Sequence, residues 1–341
     1  MRIMSGIWEP GRYPPRGAAC GHANPAASKK TVIVRNMTWT KLPLPKLRRQ
    51  DGVKSFTMRS ALALLIALAA LPGPVRAADC DRDCLRGVIT QYLDAMIAHN
   101  PAAAPVAPKV RFTEDIVEMK LGEGLWKNAS KVRGYRQDIL DVRQGVAASQ
   151  VIVEEGGSPV MLMLRLKVVD KKITEVETQV TRNRSQGAIF NIDALQTTRP
   201  AMNMAPAPSQ LNTREDAIRI AQFYPAGLKV GSFIEVDAPF AADAYRIENG
   251  ASSAGPGCAR AGCENIKTQN IMKHPAITTR VIAVDEELGI VLLRMNFGDT
   301  GSYGAGNALI VWEAFKVYGG QLHAVEAFMR VMPATAGSGW D

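Results

Sequence analysis

Apolar residues recur along this chain at two spacings, and each spacing occurs in two places. One set has the spacing of an amphipathic helix and consists of Leu85, Val88, Ile89, Tyr92 and Met96. A second helix is predicted from Thr213, where Thr-Arg-Glu-Asp is typical of a capping box. Tyr224 lies at the place in this second helix that Tyr92 has in the first, and Pro225 should shorten or kink the helix.

Segments of alternating polarity predict β-hairpins, and two of these segments align without a gap. Residues 166–180 (LKVVDKKITEVETQV) match residues 315–329 (FKVYGGQLHAVEAFM), so that Lys167 aligns with Lys316. Each half has a further predicted hairpin upstream, at residues 149–169 and 279–297. We therefore expect two copies of one unit, each with a helix followed by about four antiparallel strands.

Residues 58–77 (MRSALALLIALAALPGPVRA) have the layout of a secretory signal peptide, with a charged start, an apolar core and a small-x-small cleavage site. The core is too short to cross a bilayer. Because such a signal normally begins a chain, we expect Met58 to be the initiator and residues 1–57 to be an over-extended gene start. The alternative is an apolar helix behind a basic tail.

Export changes what the net charge implies. The whole chain carries +9, which by itself would indicate a nucleic acid or an anionic membrane as partner. Residues 1–77 hold 13 of the 41 Lys and Arg and 2 of the 32 Asp and Glu, which leaves 28 basic and 30 acidic residues and a net charge of −2. Basic residues are not clustered with aromatic ones, so we expect no nucleic-acid partner, and no membrane contact after signal cleavage.

Four cysteines follow the leader as two close pairs, Cys80 with Cys84 and Cys258 with Cys263. Four cysteines in an oxidising compartment allow three disulfide connectivities, of which local pairing within each couple is favoured here. The C-x3-C and C-x4-C spacings are weak signatures for zinc, and no His lies near either pair. We therefore expect no metal and no cofactor.

The predicted fold class is α+β, with two tandem cone-shaped domains, each made of helices packed on a curved antiparallel sheet. The predicted boundaries are 1–57 for the extension, 58–77 for the signal peptide, 78–196 for the first domain, 197–212 for a Pro/Ala-rich linker, 213–333 for the second domain and 334–341 for a tail. The uncovered part of each cone is expected to be a pocket for a small organic molecule.

The chain resembles the SnoaL-like branch of the nuclear transport factor 2-like (cystatin-like) superfamily. The resemblance rests on Tyr92-Leu93-Asp94-Ala95, on Ala98-His99-Asn100-Pro101 and on the Val168–Glu177 hairpin. It is more closely similar to a family of secreted fungal and bacterial tandem proteins of unassigned function, through Gly122-Glu123-Gly124-Leu125-Trp126 and Val284-Asp285-Glu286-Glu287. The resemblance covers residues 80 to about 332 and implies the cone fold, but the superfamily mixes isomerases, dehydratases, hydrolases and binding domains.

Catalysis in this superfamily usually relies on one Asp, Glu or His inside the cone, because an apolar wall raises the pKa of a carboxyl group toward neutrality. The candidate catalytic residues are Glu114, His99, Tyr92 and Asp299. The candidate ligand-binding residues are Arg111, Trp126, Tyr224, Glu248 and Tyr303. The matched pair Glu177 and Glu326 is expected to point away from the core, toward a cone mouth or solvent.

Each candidate also has a purely structural interpretation. The two tyrosines fit an ordinary core, Trp126 fits a cap on that core, and His99 fits an exposed helix end. Arg111 and Glu114 fit a buried ion pair, and Asp299 and Tyr303 belong to a Gly-rich loop that is either a floppy connection or a mobile lid.

Two functions remain open at this point. The first is an exported protein that binds a small organic molecule in a cone pocket and either holds it or turns it over as an isomerase- or dehydratase-type enzyme. The second is a non-catalytic extracytoplasmic binding or assembly module in which the two domains pack as an internal pseudo-dimer.

Overall fold

The computed structural model describes residues 80–337 and residue 340. The predicted extension and the predicted signal peptide lie outside the described residues. So do residues 78–79 and residues 338, 339 and 341 of the predicted tail. Within the described ranges the protein is α+β, with two six-stranded sheets in halves that are separate in sequence. No helix in these ranges is long and apolar enough to span a bilayer.

The described part of the chain contains α-helices at α1 (Arg82–Ile97), α2 (Arg184–Gly187), α3 (Pro200–Asn203), α4 (Arg214–Ala221) and α5 (Phe223–Val230). The hydroxyl of Thr213 accepts the backbone N–H of Asp216 and so caps α4, as the capping sequence predicts. The predicted second helix is divided at Gln222 into α4 and α5. Pro225 lies in the first turn of α5, where its missing N–H costs no hydrogen bond.

The first half forms a sheet in the order β2-β1-β6-β5-β4-β3. Its strands are β1 (Val106–Glu114), β2 (Val117–Met119), β3 (Ala129–Asp141), β4 (Val146–Glu155), β5 (Ser158–Val169) and β6 (Lys172–Thr181). Neighbouring strands are antiparallel except β1 and β6, which are parallel. The sequence predicted about four antiparallel strands, and the structure adds the β1-β2 hairpin. Parallel strands need a long connection, and β1 can pair with β6 because the chain between them forms the rest of the sheet.

The second half repeats this order as β8-β7-β12-β11-β10-β9. Its strands are β7 (Phe240–Glu248), β8 (Ala251–Ala254), β9 (Thr278–Asp285), β10 (Ile290–Asn296), β11 (Asn307–Tyr318) and β12 (Gln321–Pro333). Here too one pair, β7 and β12, is parallel. Both hairpins also shift register next to the matched lysines, after Lys167 and after Lys316, so the gap-free alignment relates equivalent positions.

Each sheet has one face in a core shared with its own helix. Tyr92 of α1 belongs to the same buried cluster as Leu164 of β5, and Tyr224 of α5 to the same cluster as Phe315 of β11. The opposite faces meet in a third cluster, whose members include Tyr135, Ile152 and Met163 from the first half and Ile290, Trp312 and Phe328 from the second.

Glu326 lies in this contact between the sheets and not at a cone mouth or in solvent. Its carboxylate accepts the hydroxyl of Tyr135 at 3.0 Å and that of Tyr245 at 2.8 Å, and the residue is only 3% exposed. The sequence alternation correctly put this side chain away from the helix-covered core. What covers the other face is a second sheet, which strand periodicity alone does not reveal.

The two halves exchange ion pairs reciprocally. Arg82 at the start of α1 donates to Asp285 at the end of β9 at 2.6 Å, and Arg214 at the start of α4 donates to Asp141 at the end of β3 at 2.6 Å. Each carboxylate also accepts a backbone N–H from the other half: Asp285 from Leu140 and Asp141 from Val284. The same contact is thus made twice, once from each half to the other, as is typical of a two-fold interface.

The disulfides join Cys80 to Cys84 and Cys258 to Cys263, so the predicted local pairing is confirmed. The first disulfide lies at the start of α1. The second closes a short loop between β8 and β9.

Candidate functional site

Three candidate residues of the first half meet at the short 3-10 helix Gly124–Lys127. The indole Nε1–H of Trp126 donates to the hydroxyl of Tyr92 at 2.9 Å, and the two rings meet edge to face with centroids 5.1 Å apart. His99 Nδ1 lies 2.6 Å from the carbonyl oxygen of Trp126. Burial raises the pKa of Tyr92 above its ordinary value. The indole, which is 1% exposed, therefore occupies the space beside Tyr92 where a ligand was expected.

Glu114 holds the same loop from the sheet side. Its carboxylate accepts the backbone N–H of Leu125 at 2.8 Å and lies 3.5 Å from the guanidinium of Arg182. Burial raises the pKa of Glu114, and these two contacts oppose the rise. Gly124 has a φ of +61°, and a Cβ there would come within 2.6 Å of the Glu114 carboxylate, so this approach requires glycine.

Arg111 does not join this group. It is exposed on β1, pairs with Glu118 at 3.0 Å and lies 4.1 Å from the ring centroid of Trp340. The predicted Arg–Glu pair on this strand is thus not formed with Glu114, whose arginine partner is Arg182.

The second half contains a cavity of about 420 Å³. Its apolar wall comprises Ile189, Leu228, Ile271, Met272, Phe297, Leu309 and Met329. Its polar lining comprises Tyr224, Arg246, Glu248, Arg260, Asn270, His274 and Tyr303. Three residues singled out from the sequence, Tyr224, Glu248 and Tyr303, are therefore brought together here.

Arg246 is the best-anchored polar group of the cavity wall. Its guanidinium donates to the Tyr224 hydroxyl at 3.1 Å, to Gln269 Oε1 at 3.2 Å and to Ser253 Oγ at 2.8 Å, and it lies 3.5 Å from Glu248. The residue is 6% exposed. Three hydrogen bonds use three of the five guanidinium N–H groups, so the cation is held rigidly and still has donors for a ligand.

Glu313 on β11 adjoins the same wall and is 1% exposed. Burial raises the pKa of its carboxyl group to about 8, the charge of Glu248 adds to the rise, and Arg246 and the Tyr224 hydroxyl oppose it. The carboxyl group therefore holds its proton at neutral pH. Its Oε2 has no hydrogen-bond partner among the described residues.

His274 lies on the other side of the cavity, beside aromatic rings. Its ring centroid is 4.6 Å from that of Phe297 and 6.3 Å from that of Tyr303, with which it is nearly parallel. Burial lowers the pKa of His274, so the imidazole is neutral at pH 7. Within the described ranges, His274 Nδ1 and Gln269 Nε2 have no hydrogen-bond partner. Together with Glu313, they make three unpaired polar atoms in or beside one cavity.

Asp299 does not line the cavity. Its carboxylate accepts the backbone N–H groups of Gly301 and Gly306, each at 2.9 Å. It thereby organises the loop between β10 and β11, which carries Tyr303 to the cavity wall. Burial raises the pKa of Tyr303 to about 12.

Sequence reasoning missed Glu313, Arg246 and Gln269 as site residues. A signal for the first was available, because the alignment of Lys167 with Lys316, extended upstream, puts Glu313 opposite Leu164. The strand pairing agrees: Leu164 and Glu313 face equivalent positions on β6 and β12. By the same register, Arg246 takes the place of Phe112, and Glu248 that of Glu114. At two of these three positions, those of Arg246 and Glu313, an ionisable residue therefore takes the place of an apolar one.

No group of three or more His, Cys, Asp or Glu among residues 80–337 is placed to hold a metal ion.

The family described as a domain of unknown function (DUF8021) matches residues 210–329, which is the second half. No protein of curated function is similar in sequence.

Several solved structures, among them the following three, are similar to parts of the chain. One is a de novo designed protein with a curved β-sheet, at 20% identity over 30% of this chain and 88% of that one, with a TM-score of 0.26. The second is an NTF2-like protein of unknown function from Cytophaga hutchinsonii ATCC 33406, at 11% identity over 28% and 89%, with a TM-score of 0.21. The third is a proposed ketosteroid isomerase from Kribbella flavida DSM 17836, at 15% identity over 30% and 82%, with a TM-score of 0.23.

At these TM-scores the likeness carries no argument about function. The closer resemblance to a secreted tandem family stays a prediction.

Proposed function

We propose that the second half binds a small organic molecule in the cavity between Tyr224, Arg246 and His274. The observation that carries this proposal is the combination of a 420 Å³ cavity, a largely apolar wall and buried polar atoms without partners. Buried polar groups in proteins are nearly always hydrogen-bonded, so unpaired ones beside a cavity favour a ligand that supplies the partner.

The same groups suit acid–base turnover of an isomerase or dehydratase type. Glu313 carries an exchangeable proton near neutral pH, and Tyr224, whose hydroxyl interacts with it, lines the cavity. Arg246 would stabilise negative charge that develops on a substrate oxygen, and neutral His274 offers Nδ1 as a proton acceptor. The first half lacks this set, since Trp126 fills the space beside Tyr92.

A ligand screen by thermal shift tests the binding proposal. A compound present at about 100 times its Kd should raise the Tm of the protein by about 5–10 °C. The matched control is Ile189→Trp, which fills the cavity from a partly exposed position and should remove the shift. A ligand that stabilises both proteins equally binds elsewhere, and a broad screen without any stabilising compound would contradict the proposal.

We further propose that the chain is exported. The signal-like segment and the two disulfides support this, because disulfides persist mainly outside the cytosol. Mass spectrometry of the protein recovered from the source organism should find an N-terminus at or next to Ala78. Recovery of a chain that retains residues 58–77 would contradict export by this route.

A second candidate function is a non-catalytic assembly unit whose halves form an internal pseudo-dimer. The reciprocal pairs of Arg82 with Asp285 and Arg214 with Asp141 favour it. Arg82→Met and Arg214→Met in the full chain should each lower the free energy of unfolding by about 2 kcal/mol, because each leaves a buried carboxylate without its cation. Losses that differ by more than about 1 kcal/mol would contradict equivalence of the two contacts.

A further inference from the structure

The charges around the cavity do not balance at neutral pH. Arg246 and Arg260 contribute two positive charges to the lining, and Glu248 contributes one negative charge. Glu313 is neutral there because burial raises the pKa of its carboxyl group to about 8, and His274 is neutral because burial lowers its pKa. A cavity with an excess positive charge and a mostly apolar wall favours an anion with an apolar body.

Arg260 owes its place to the second disulfide. It is exposed, lines the cavity and lies between Cys258 and Cys263, whose bond closes a loop of six residues around it. The backbone N–H of Gly255 donates to the Cys263 carbonyl at 2.7 Å and ties the loop to the end of β8. The disulfide and this hydrogen bond thereby help to keep the cation of an exposed surface loop at the cavity.

We propose that this cavity binds a hydrophobic organic carboxylate, whose head pairs with Arg246 and whose apolar body lies against Leu228, Phe297 and Met329, with Arg260 attracting the anion at the entrance. This inference rests on the proposed function and names the class of its ligand. A carboxylate suits a planar guanidinium that has N–H groups to spare.

Calorimetric titration of the full chain with 1-naphthylacetate and 1-naphthylacetamide tests the inference, because the two probes differ in charge and little in shape. Near pH 6.5 the carboxylate should bind at least about tenfold more tightly than the amide. Near pH 9.5 this preference should shrink to about twofold or less, since Glu313 then ionises among Tyr224, Arg246 and Glu248. Glu313→Gln should keep the preference at both pH values.

Two further variants separate the roles of the arginines. Arg260→Gln, at an exposed position, should weaken carboxylate binding about threefold and leave amide binding unchanged. Arg246→Met should remove the preference entirely. Circular dichroism shows whether the Arg246→Met variant folds. If it does not fold, the binding of the two probes to the wild-type protein decides whether the cavity prefers a carboxylate.

The possible failures are distinguishable. Equal or tighter binding of the amide in the wild-type protein, blocked by Ile189→Trp, would overturn the carboxylate inference and leave the cavity as a binding site. Binding of neither probe would also overturn the inference, and the broader screen alone would then decide whether the cavity binds any molecule. Carboxylate binding that Ile189→Trp does not affect would overturn both.

Discussion

The two halves have the same strand order but different interiors at matched positions. In the first half, the core around Tyr92 contains Phe112 and Leu164. In the second, the equivalent places near Tyr224 hold Arg246 and Glu313. At these two matched positions, the first half therefore has apolar side chains and the second half has ionisable ones.

This difference supports the proposal that the two halves have different roles. A buried Arg and a buried carboxyl group with an unpaired oxygen reduce stability compared with Phe and Leu. Proteins keep such destabilising groups mainly where they serve a function. On the function we propose, the first half, closed by Trp126, stabilises the molecule and the second half binds the ligand.

The largest expected effect concerns the residue that closes the first half. Trp126→Ala should lower the free energy of unfolding by about 3–5 kcal/mol, because it removes a fully buried indole and leaves a cavity beside Tyr92. Urea unfolding measures this loss. The second-half control is Tyr303→Ala, a part-exposed cavity residue whose removal should cost about 1 kcal/mol or less. Similar losses for the two variants would contradict the contrast between a closed and an open interior.

The next effect concerns pH and Glu313. Its pKa is about 8 in the folded protein and near 4.5 when unfolded, so the folded state binds the extra proton between these values. The contribution of Glu313 to the free energy of unfolding is therefore largest below about pH 4.5 and is lost as the pH rises toward 8. Between pH 5 and 7.5 the loss should be about 3 kcal/mol. Glu313→Gln should remove this part of the pH dependence.

Lys316 acts in a different range and does not confuse that measurement. Burial lowers the pKa of its ammonium group to about 8, and it donates to the carbonyl of Leu288 at 2.6 Å. A lowered folded pKa means that the folded state binds fewer protons above pH 8, so this group makes stability rise from there. If wild type and Glu313→Gln lose stability in parallel between pH 5 and 7.5, the carboxyl group is not neutral in the folded protein.

Much of the fold could be predicted from local signals. The capping residue Thr213, the matched lysines and the paired cysteines each specify a nearby structure, and the chain follows them. The parallel strand β1 was not predictable in this way, because its partner β6 lies some sixty residues away and no turn joins them directly.

The candidate site was predicted only in part, for a related reason. Tyr224, Glu248 and Tyr303 were found because they stand out in helix, strand-end or loop sequences. Glu313 lies within the apolar strand ALIVWEAFKV, and alternation alone did not reveal which face it shares with Val311 and Phe315. Only comparison with the first copy, where Leu164 is at its place, marks the residue as unusual.

A double substitution converts the interior of the second half into that of the first. Arg246→Phe alone should cost about 3 kcal/mol or more, because Tyr224 and Gln269 lose a donor. Arg246→Phe with Glu313→Leu should regain about 2 kcal/mol of this, since the Glu313 carboxyl group would otherwise face Glu248 without the guanidinium of Arg246. The free energies come from urea unfolding of the double-mutant cycle. Strict additivity would indicate that the two residues do not form one cluster.

The smallest effect distinguishes the two tyrosines. Tyr92→Phe and Tyr224→Phe should each cost about 1 kcal/mol, because one leaves the indole N–H of Trp126 without its acceptor and the other removes a partner of Arg246. Their functional effects should differ completely. The thermal shift that a cavity ligand produces should be unchanged in Tyr92→Phe and reduced in Tyr224→Phe, since only Tyr224 lines the 420 Å³ cavity. A reduced shift in both variants would mean that the first half also takes part in binding, and the division between a stabilising and a binding half would have to be given up.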